Sequence, residues 1–153
     1  MDLRSRLEQD MKEALRAGDR VRLATIRMLR AAVQNADIAA GRRLDEQGII
    51  EVLARELKLR REALDEYRRA GRAEQVAQLE QEIQVVQGYL PEPLSEAEIA
   101  ELARQAAAEA GAKGPQDMGR VMGLLMPRVK GRADGSVVSR IVREELARLQ
   151  SPS

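Results

Sequence analysis

The chain has no cysteine, no histidine, no phenylalanine and no tryptophan, and its only aromatic residues are Tyr67 and Tyr89. Without Cys there can be no disulfide and no thiolate metal site, and the absence fits a reducing compartment. Without His as well, the Ser-His-Asp and Cys-His nucleophile pairs, zinc sites built on His or Cys, and the Glu-x-x-His pairs of helical di-iron centres are all excluded. Catalysis would have to run on carboxylates, Lys, Arg, Tyr or hydroxyls. No metal or cofactor is expected. Long apolar runs are missing too: nothing approaches the ~20 residues needed to span a bilayer. The opening residues, Met1 to Leu15, carry charge on every turn and have no apolar core of a secretory signal. The expectation is a soluble cytoplasmic protein without a membrane partner.

What is present is helix-forming. Of 153 residues, 44% are hydrophobic, so with no Phe or Trp the interior must be built from Leu, Ile, Val, Met and Ala. These pack well helix on helix, and the abundant Leu, Ala, Glu, Arg and Gln lose little side-chain freedom in a helix. The length allows one domain or two small lobes.

Asp2 is placed to cap a first helix with the stripe Leu3, Leu7, Met11, Ala14 and Leu15, and Gly18 stands where a left-handed end would close it. Asp19 caps a second helix to about Ala40, with Leu23, Ile26, Leu29, Val33 and Ala36 on one face. A third, after Asp45, carries Ile50, Leu53, Leu57, Leu64 and Tyr67 until Ala70-Gly-Arg72 interrupts it. A fourth follows at once with Val76, Leu79, Ile83, Val86 and Leu90, so these two should form a long antiparallel hairpin. The prolines at 91 and 93 then break the pattern, because each lacks an N–H and pushes the residue before it out of helical geometry.

The fold expected is therefore all-α, with a helical N-terminal domain of about four helices over 1–90 and a three-helix tail domain over 91–153. Ser95 and Glu98 have the spacing of a capping box for the fifth helix, which carries Ile99, Leu102, Ala103 and Ala106 to Gly111. A short sixth helix runs from about Gln116 to Met126, where Pro127 should end it. After the loop from Gly131 to Asp134, a seventh carries Val137, Val138, Ile141, Val142 and Leu146. Residues 151–153 should fray.

Charge is distributed unevenly along a chain whose net charge is only +1. From Arg16 to Arg30 the balance is +4, from Ala73 to Glu109 it is −7, and from Met118 to Arg143 six cations face Asp134 alone, giving +5. That last segment, Asp117 to Glu144, packs four glycines, three methionines and a proline among its cations. A glycine-punctuated basic segment before a helix is where a phosphate-bearing partner would dock, since the free N–H groups and dipole of the helix start favour an anion. The candidate phosphate contacts are Arg120, Arg128, Lys130, Arg132 and Arg140, with Gly131 and Gly135 letting backbone come close. A solvated turn capped by Asp134 or Ser136 would give the same pattern. Gly119 and Gly123 have the spacing that admits a close helix or a ligand, and Met118, Met122 and Met126 form a stripe that either fills the core or offers an adaptable groove. Neither glycine belongs to a phosphate-binding P-loop. Carboxylate pairs such as Glu62 with Glu66 and Glu80 with Glu82 sit among Arg and Lys and read as surface ion pairs.

The chain resembles the YqeY-like family, which shares its two halves with the C-terminal region of GatB, a component of the glutamine-dependent aminoacyl-tRNA amidotransferase. The likeness rests on Val21-Arg-Leu-Ala-Thr-Ile-Arg-Met-Leu29 with Asn35-Ala-Asp-Ile38, on Lys58-Leu-Arg-Arg-Glu62 leading to Ala70-Gly-Arg72, and on Tyr89-Leu-Pro91. Its most specific carriers are Met118-Gly-Arg-Val-Met-Gly123 and Lys130-Gly-Arg-Ala-Asp-Gly135. The resemblance implies a tail domain that contacts tRNA, with catalysis elsewhere, since the glutaminase is a separate component and the transamidation cradle precedes the shared region. This chain has neither. The expected role is a non-catalytic accessory that binds tRNA or another structured RNA. With aromatic stacking scarce, recognition would be of backbone and shape. The alternatives are a protein-interaction module and, following the family's label, a glutamine-dependent carbon-nitrogen ligase.

Overall fold

The structure, a computed structural model, describes residues 1–150; the expected fraying of residues 151–153 lies outside the described residues. Among these there are seven α-helices, one 3₁₀ turn and no strand, so the all-α expectation holds. The chain divides into two compact units, the first Met1–Pro91 and the second from Glu92 onward.

In the first unit, aspartates start three of the four helices. Asp2 accepts the Ser5 N–H at 2.8 Å ahead of α1 (Leu3–Ala17), Asp19 the Arg22 N–H at 3.2 Å ahead of α2 (Arg20–Ala40), and Asp45 the Gly48 N–H at 2.8 Å ahead of α3 (Glu46–Arg69). Each such cap is worth about 1 kcal/mol, because it satisfies a donor with no partner inside the helix. A short turn leads from α3 into α4 (Ala73–Gln87), and the two pack on each other as an antiparallel hairpin. Leu7, Ile26, Leu29, Leu53 and Val86 are fully buried at the centre.

Ile49 and Val52 join this core, while Leu15 and Tyr67, expected in it, stand 59% and 37% exposed. Leu15 lies in the last turn of α1 and Tyr67 in the last turn of α3, where the stripe has run past the neighbour it packs on. Helix α4 stops at Gln87, three residues short of Leu90, because Gly88, Tyr89 and Leu90 tighten into a turn. That turn buries Tyr89, whose hydroxyl donates to Asp10 and whose ring lies under the Arg6 guanidinium, 5.0 Å from the centroid. Burial, then the Asp10 carboxylate, push the phenol well above its usual range.

The second unit is α5 (Glu96–Ala110), a 3₁₀ turn Pro115–Asp117, α6 (Met118–Val129) and α7 (Gly135–Gln150). The capping box forms as read: Ser95 Oγ accepts the Glu98 N–H at 3.1 Å and Glu98 accepts the Ser95 N–H at 3.2 Å. The alanine face of α5 (Ala103, Ala106, Ala107) lets α6 and α7 approach, and Val121, Leu125, Val129, Val138, Val142 and Leu146 fill the space with no exposure. Met118, Met122 and Met126 pack against that core, which settles the methionine stripe as filler. Pro127 does not end α6. The carbonyl deprived of its partner belongs to Gly123, on the exposed face where water reaches it, while the buried Val129 holds the final turn in place.

Candidate functional site

All the candidate phosphate contacts lie in the second unit, and the structure separates them by role. Val129 to Arg132 form a type II β-turn: Lys130 adopts φ −58°, ψ 130°, Gly131 follows at φ 79°, and the Arg132 N–H returns to the Val129 carbonyl at 2.9 Å. The third position of this turn needs positive φ, which is why Gly131 is a glycine. Gly135 has no such need; a Cβ there would meet only Met126 Cε at 3.8 Å.

Arg132 is a fastener for the unit. Its Nε donates to the Glu92 carbonyl at 3.0 Å and its own carbonyl accepts the Leu94 N–H at 2.9 Å, which ties the segment ahead of α5 to the turn between α6 and α7. The start of α7 is also occupied. Asp134 Oδ1 accepts the Ser136 N–H at 3.0 Å and the Ser136 hydroxyl at 3.1 Å, so the chain's own carboxylate fills the place where an incoming phosphate was expected.

The sequence segment of charge +5 does not survive as a patch of that charge. Arg120 pairs with Asp117 and donates to the Ala110 carbonyl at 3.2 Å, and Arg128 pairs with Glu109. Arg140 meets Glu96 at 2.6 Å and Glu144 at 3.2 Å, both of which stabilise its cation. The Lys113 N–H and then Arg120 hold the Asp117 carboxyl below the usual range. Helix α5 and the segment ahead of it carry most of the −7 stretch, and over 92–150 nine Lys or Arg balance nine Asp or Glu. The pairs are nevertheless exposed: the Arg120, Arg128 and Arg140 side chains are 64%, 38% and 44% accessible. Lys130 and Arg143 are exposed as well.

The glycine pair of α6 is not used for close packing, one of the two readings its spacing allows. Gly119 and Gly123 both face outward, and a Cβ on either would meet nothing within 4 Å. At 100° per residue the exposed half of α6 runs in order through Gly119, Gly123, Pro127, Arg120, Leu124 and Arg128, while Val121, Leu125 and Val129 face the core. This open half runs about 15 Å along the helix, with bare backbone at the two glycines along one edge and the two cations toward the other. The composition of the segment pointed to glycines in a functional role but gave no sign of which way they faced.

Carboxylate pairs act as the sequence suggested in part. Glu80 meets Arg68 at 3.2 Å, and Glu82 meets the buried Arg60 at 3.2 Å, where Glu56 also reaches it at 3.3 Å. Glu62 and Glu66 stay on the surface. No group of three His, Cys, Asp or Glu gathers as a metal site among the described residues, and no helix there is long and apolar enough to cross a membrane.

An all-helical protein of two units, the second a three-helix packet with an outward glycine face and a capped basic turn, is what these elements define. The chain belongs to the YqeY-like family, whose model matches residues 4–146. It is similar to "Altered inheritance of mitochondria protein 41, mitochondrial" of Pyrenophora tritici-repentis, at 32% identity over 142 residues, covering 91% of this chain and 78% of the relative. Proteins of the same name from Lachancea thermotolerans and Eremothecium gossypii are each 33% identical, over 102 and 107 residues. There the match covers 65% and 69% of this chain but 54% and 57% of the relatives, a little over half their length.

All three relatives are named as mitochondrial proteins, which overturns the cytoplasmic location expected from the sequence. The expectation rested on a charged opening and the lack of a long apolar run. Those features speak against helical membrane insertion and do not distinguish one aqueous compartment from another.

Proposed function

We propose that the chain is a binding protein without catalysis of its own, and that its second unit takes up tRNA or another structured RNA along the outer side of α6 and the turn that follows. The observation that carries this reading is the bare backbone at Gly119 and Gly123 on the same exposed half of α6 as Arg120 and Arg128. A phosphodiester strand can approach such a face more closely than any side chain would allow. Arg120, Arg128, Lys130 and Arg140 supply the phosphate contacts, while Arg132 and Gly131 shape the turn beside them. The carboxylates now paired with three of these arginines are no barrier, because exposed ion pairs contribute only about 0–1 kcal/mol and phosphate oxygens can replace them. They do keep the affinity modest and dependent on salt.

Filter binding of total tRNA between roughly 50 and 200 mM salt tests this. Four phosphate contacts imply a slope of log K against log salt of about −3 to −4, and the Arg120→Glu/Arg128→Glu double variant should flatten it and abolish most binding. Undiminished binding by that variant would remove the site. One observation favours a second reading, docking of a protein: Leu124, 37% exposed, lies on the same half of α6 between Arg120 and Arg128 and offers an apolar anchor. Proteins that survive nuclease treatment on the immobilised chain and are lost with Leu124→Glu would select that reading.

A further inference from the structure

The first unit holds a cleft of about 440 Å³ between α1 and α2, within the range of small-molecule sites. The buried Leu7 and Val33 give it an apolar wall, and Arg30, Gln34 and Arg43 line the remainder. Two other charged residues at the cleft are engaged with each other. Arg4 donates to both oxygens of Asp37, at 2.9 and 2.7 Å, and Asp37 also accepts the Leu44 N–H at 2.9 Å. Glu8 pairs with Lys12 at 3.7 Å.

Arg30 is set apart from the other arginines of this unit that are partly or wholly buried. Arg4 meets Asp37, Arg22 meets Asp10 at 3.7 Å, Arg60 meets Glu56 and Glu82, and Arg6 donates to the Gly88 carbonyl and covers the Tyr89 ring. Arg30 is half-buried, and its one hydrogen bond among the described residues runs from Nη1 to the Met11 thioether at 3.0 Å. Sulfur is a weak acceptor, and a guanidinium carries five donors in a fixed fork. A charge partly withdrawn from water without a counter-ion is costly, so an oxyanion in the cleft would relieve it. Arg43 stands at the same cleft, exposed and without a side-chain hydrogen bond of its own among the described residues; it acts through space on Asp2, which caps α1, and on Asp37, which is already held by Arg4. Two guanidinium groups with donors to spare match the charge of a phosphate monoester better than the single charge of a carboxylate.

We infer that the α1–α2 cleft binds a small organic phosphate, with Arg30 and Arg43 holding its oxygens and the body of the molecule lying on Leu7 and Val33. This site is in the first unit and does not depend on RNA binding by the second. Calorimetric titration of the full chain at constant ionic strength with phenyl phosphate, inorganic phosphate and benzoate tests it. The expected order is phenyl phosphate tightest, inorganic phosphate weaker for want of an apolar body, and benzoate weakest for want of the second charge. Arg43→Gln, on the surface and free to fold, should weaken phenyl phosphate about tenfold or more, and Arg30→Lys should weaken it while keeping the charge. Thermal unfolding of each variant confirms that it is folded. Equal binding by wild type and Arg43→Gln overturns the site; so does benzoate binding as tightly as phenyl phosphate, or no heat with either phosphate.

Discussion

Replacing Gly123 by alanine should make the protein more stable and a poorer binder. Gly123 is the sixth residue of α6, its φ is not positive, and a Cβ added there meets nothing within 4 Å. The new methyl group therefore meets neither a clash nor strained backbone. What remains is the intrinsic difference between glycine and alanine in a helix interior, about 1 kcal/mol, part of it from a less floppy unfolded chain. In a unit of about 60 residues that shift raises the melting midpoint by about 4–8 °C. Gly119, at the second residue of α6, should give less, since the first turn lacks a full set of helical hydrogen bonds.

The same substitution at Gly131, where φ is 79°, should instead lower the midpoint, because a side chain in the left-handed region costs about 1–2 kcal/mol. Thermal melts followed by the helical circular dichroism signal separate the two, and tRNA binding is then measured on the folded variants. If Gly123→Ala leaves the midpoint unchanged or lowers it, the outer face of α6 is covered in solution and the argument from its openness fails. A stabilised variant that binds as well as wild type would detach the glycines from binding.

In the first unit, Arg60→Ala should cost about 3 kcal/mol in urea denaturation, because it strands Glu82 and Glu56 with little solvent around them; a loss well under 1 kcal/mol would mean that both carboxylates swing out to water. The two hydrogen bonds from Arg4, then the Leu44 N–H, depress Asp37 from 3.8 to about 2, so its contribution is complete above pH about 4 and disappears as acid protonates it toward pH 2. Stability measured down that range should fall less steeply for Asp37→Asn than for wild type, and parallel curves would show that the pair is not responsible.

Much of the fold could be read from the chain because the signals are local. Asp2, Asp19, Asp45 and Ser95 each precede an apolar stripe of helical spacing, and each caps the helix it was assigned, since a cap and its helix lie within one turn of sequence. The misses also share a cause. Leu15 and Tyr67 obey the helical period yet lie in final turns with no neighbour to cover them, and Pro127 breaks a local rule that the burial of Val129 overrides. For the candidate site, sequence read Gly131 and Gly135 alike as points of close backbone approach and left Gly119 and Gly123 open between packing and a ligand, while the structure gives Gly131 alone a positive φ and turns the α6 pair outward. The stretch of charge +4 from Arg16 to Arg30 was the one hint of the α1–α2 cleft, and nothing in it distinguished Arg30 from its neighbours.

Composition and periodicity alone determined that this protein is all helix, without disulfides, thiolates or imidazoles, because propensity, capping and chemical inventory are properties of residues and their near neighbours. Which charges remain available was decided only by the tertiary structure. Glu96 and Glu109 are 44 and 19 residues from the arginines they meet, and Coulomb attraction depends on distance through space rather than along the chain, so a segment of charge +5 became part of a neutral unit. For the same reason Arg30, one of many arginines in the sequence, is paired with no carboxylate among the described residues once α1 and α2 close on each other.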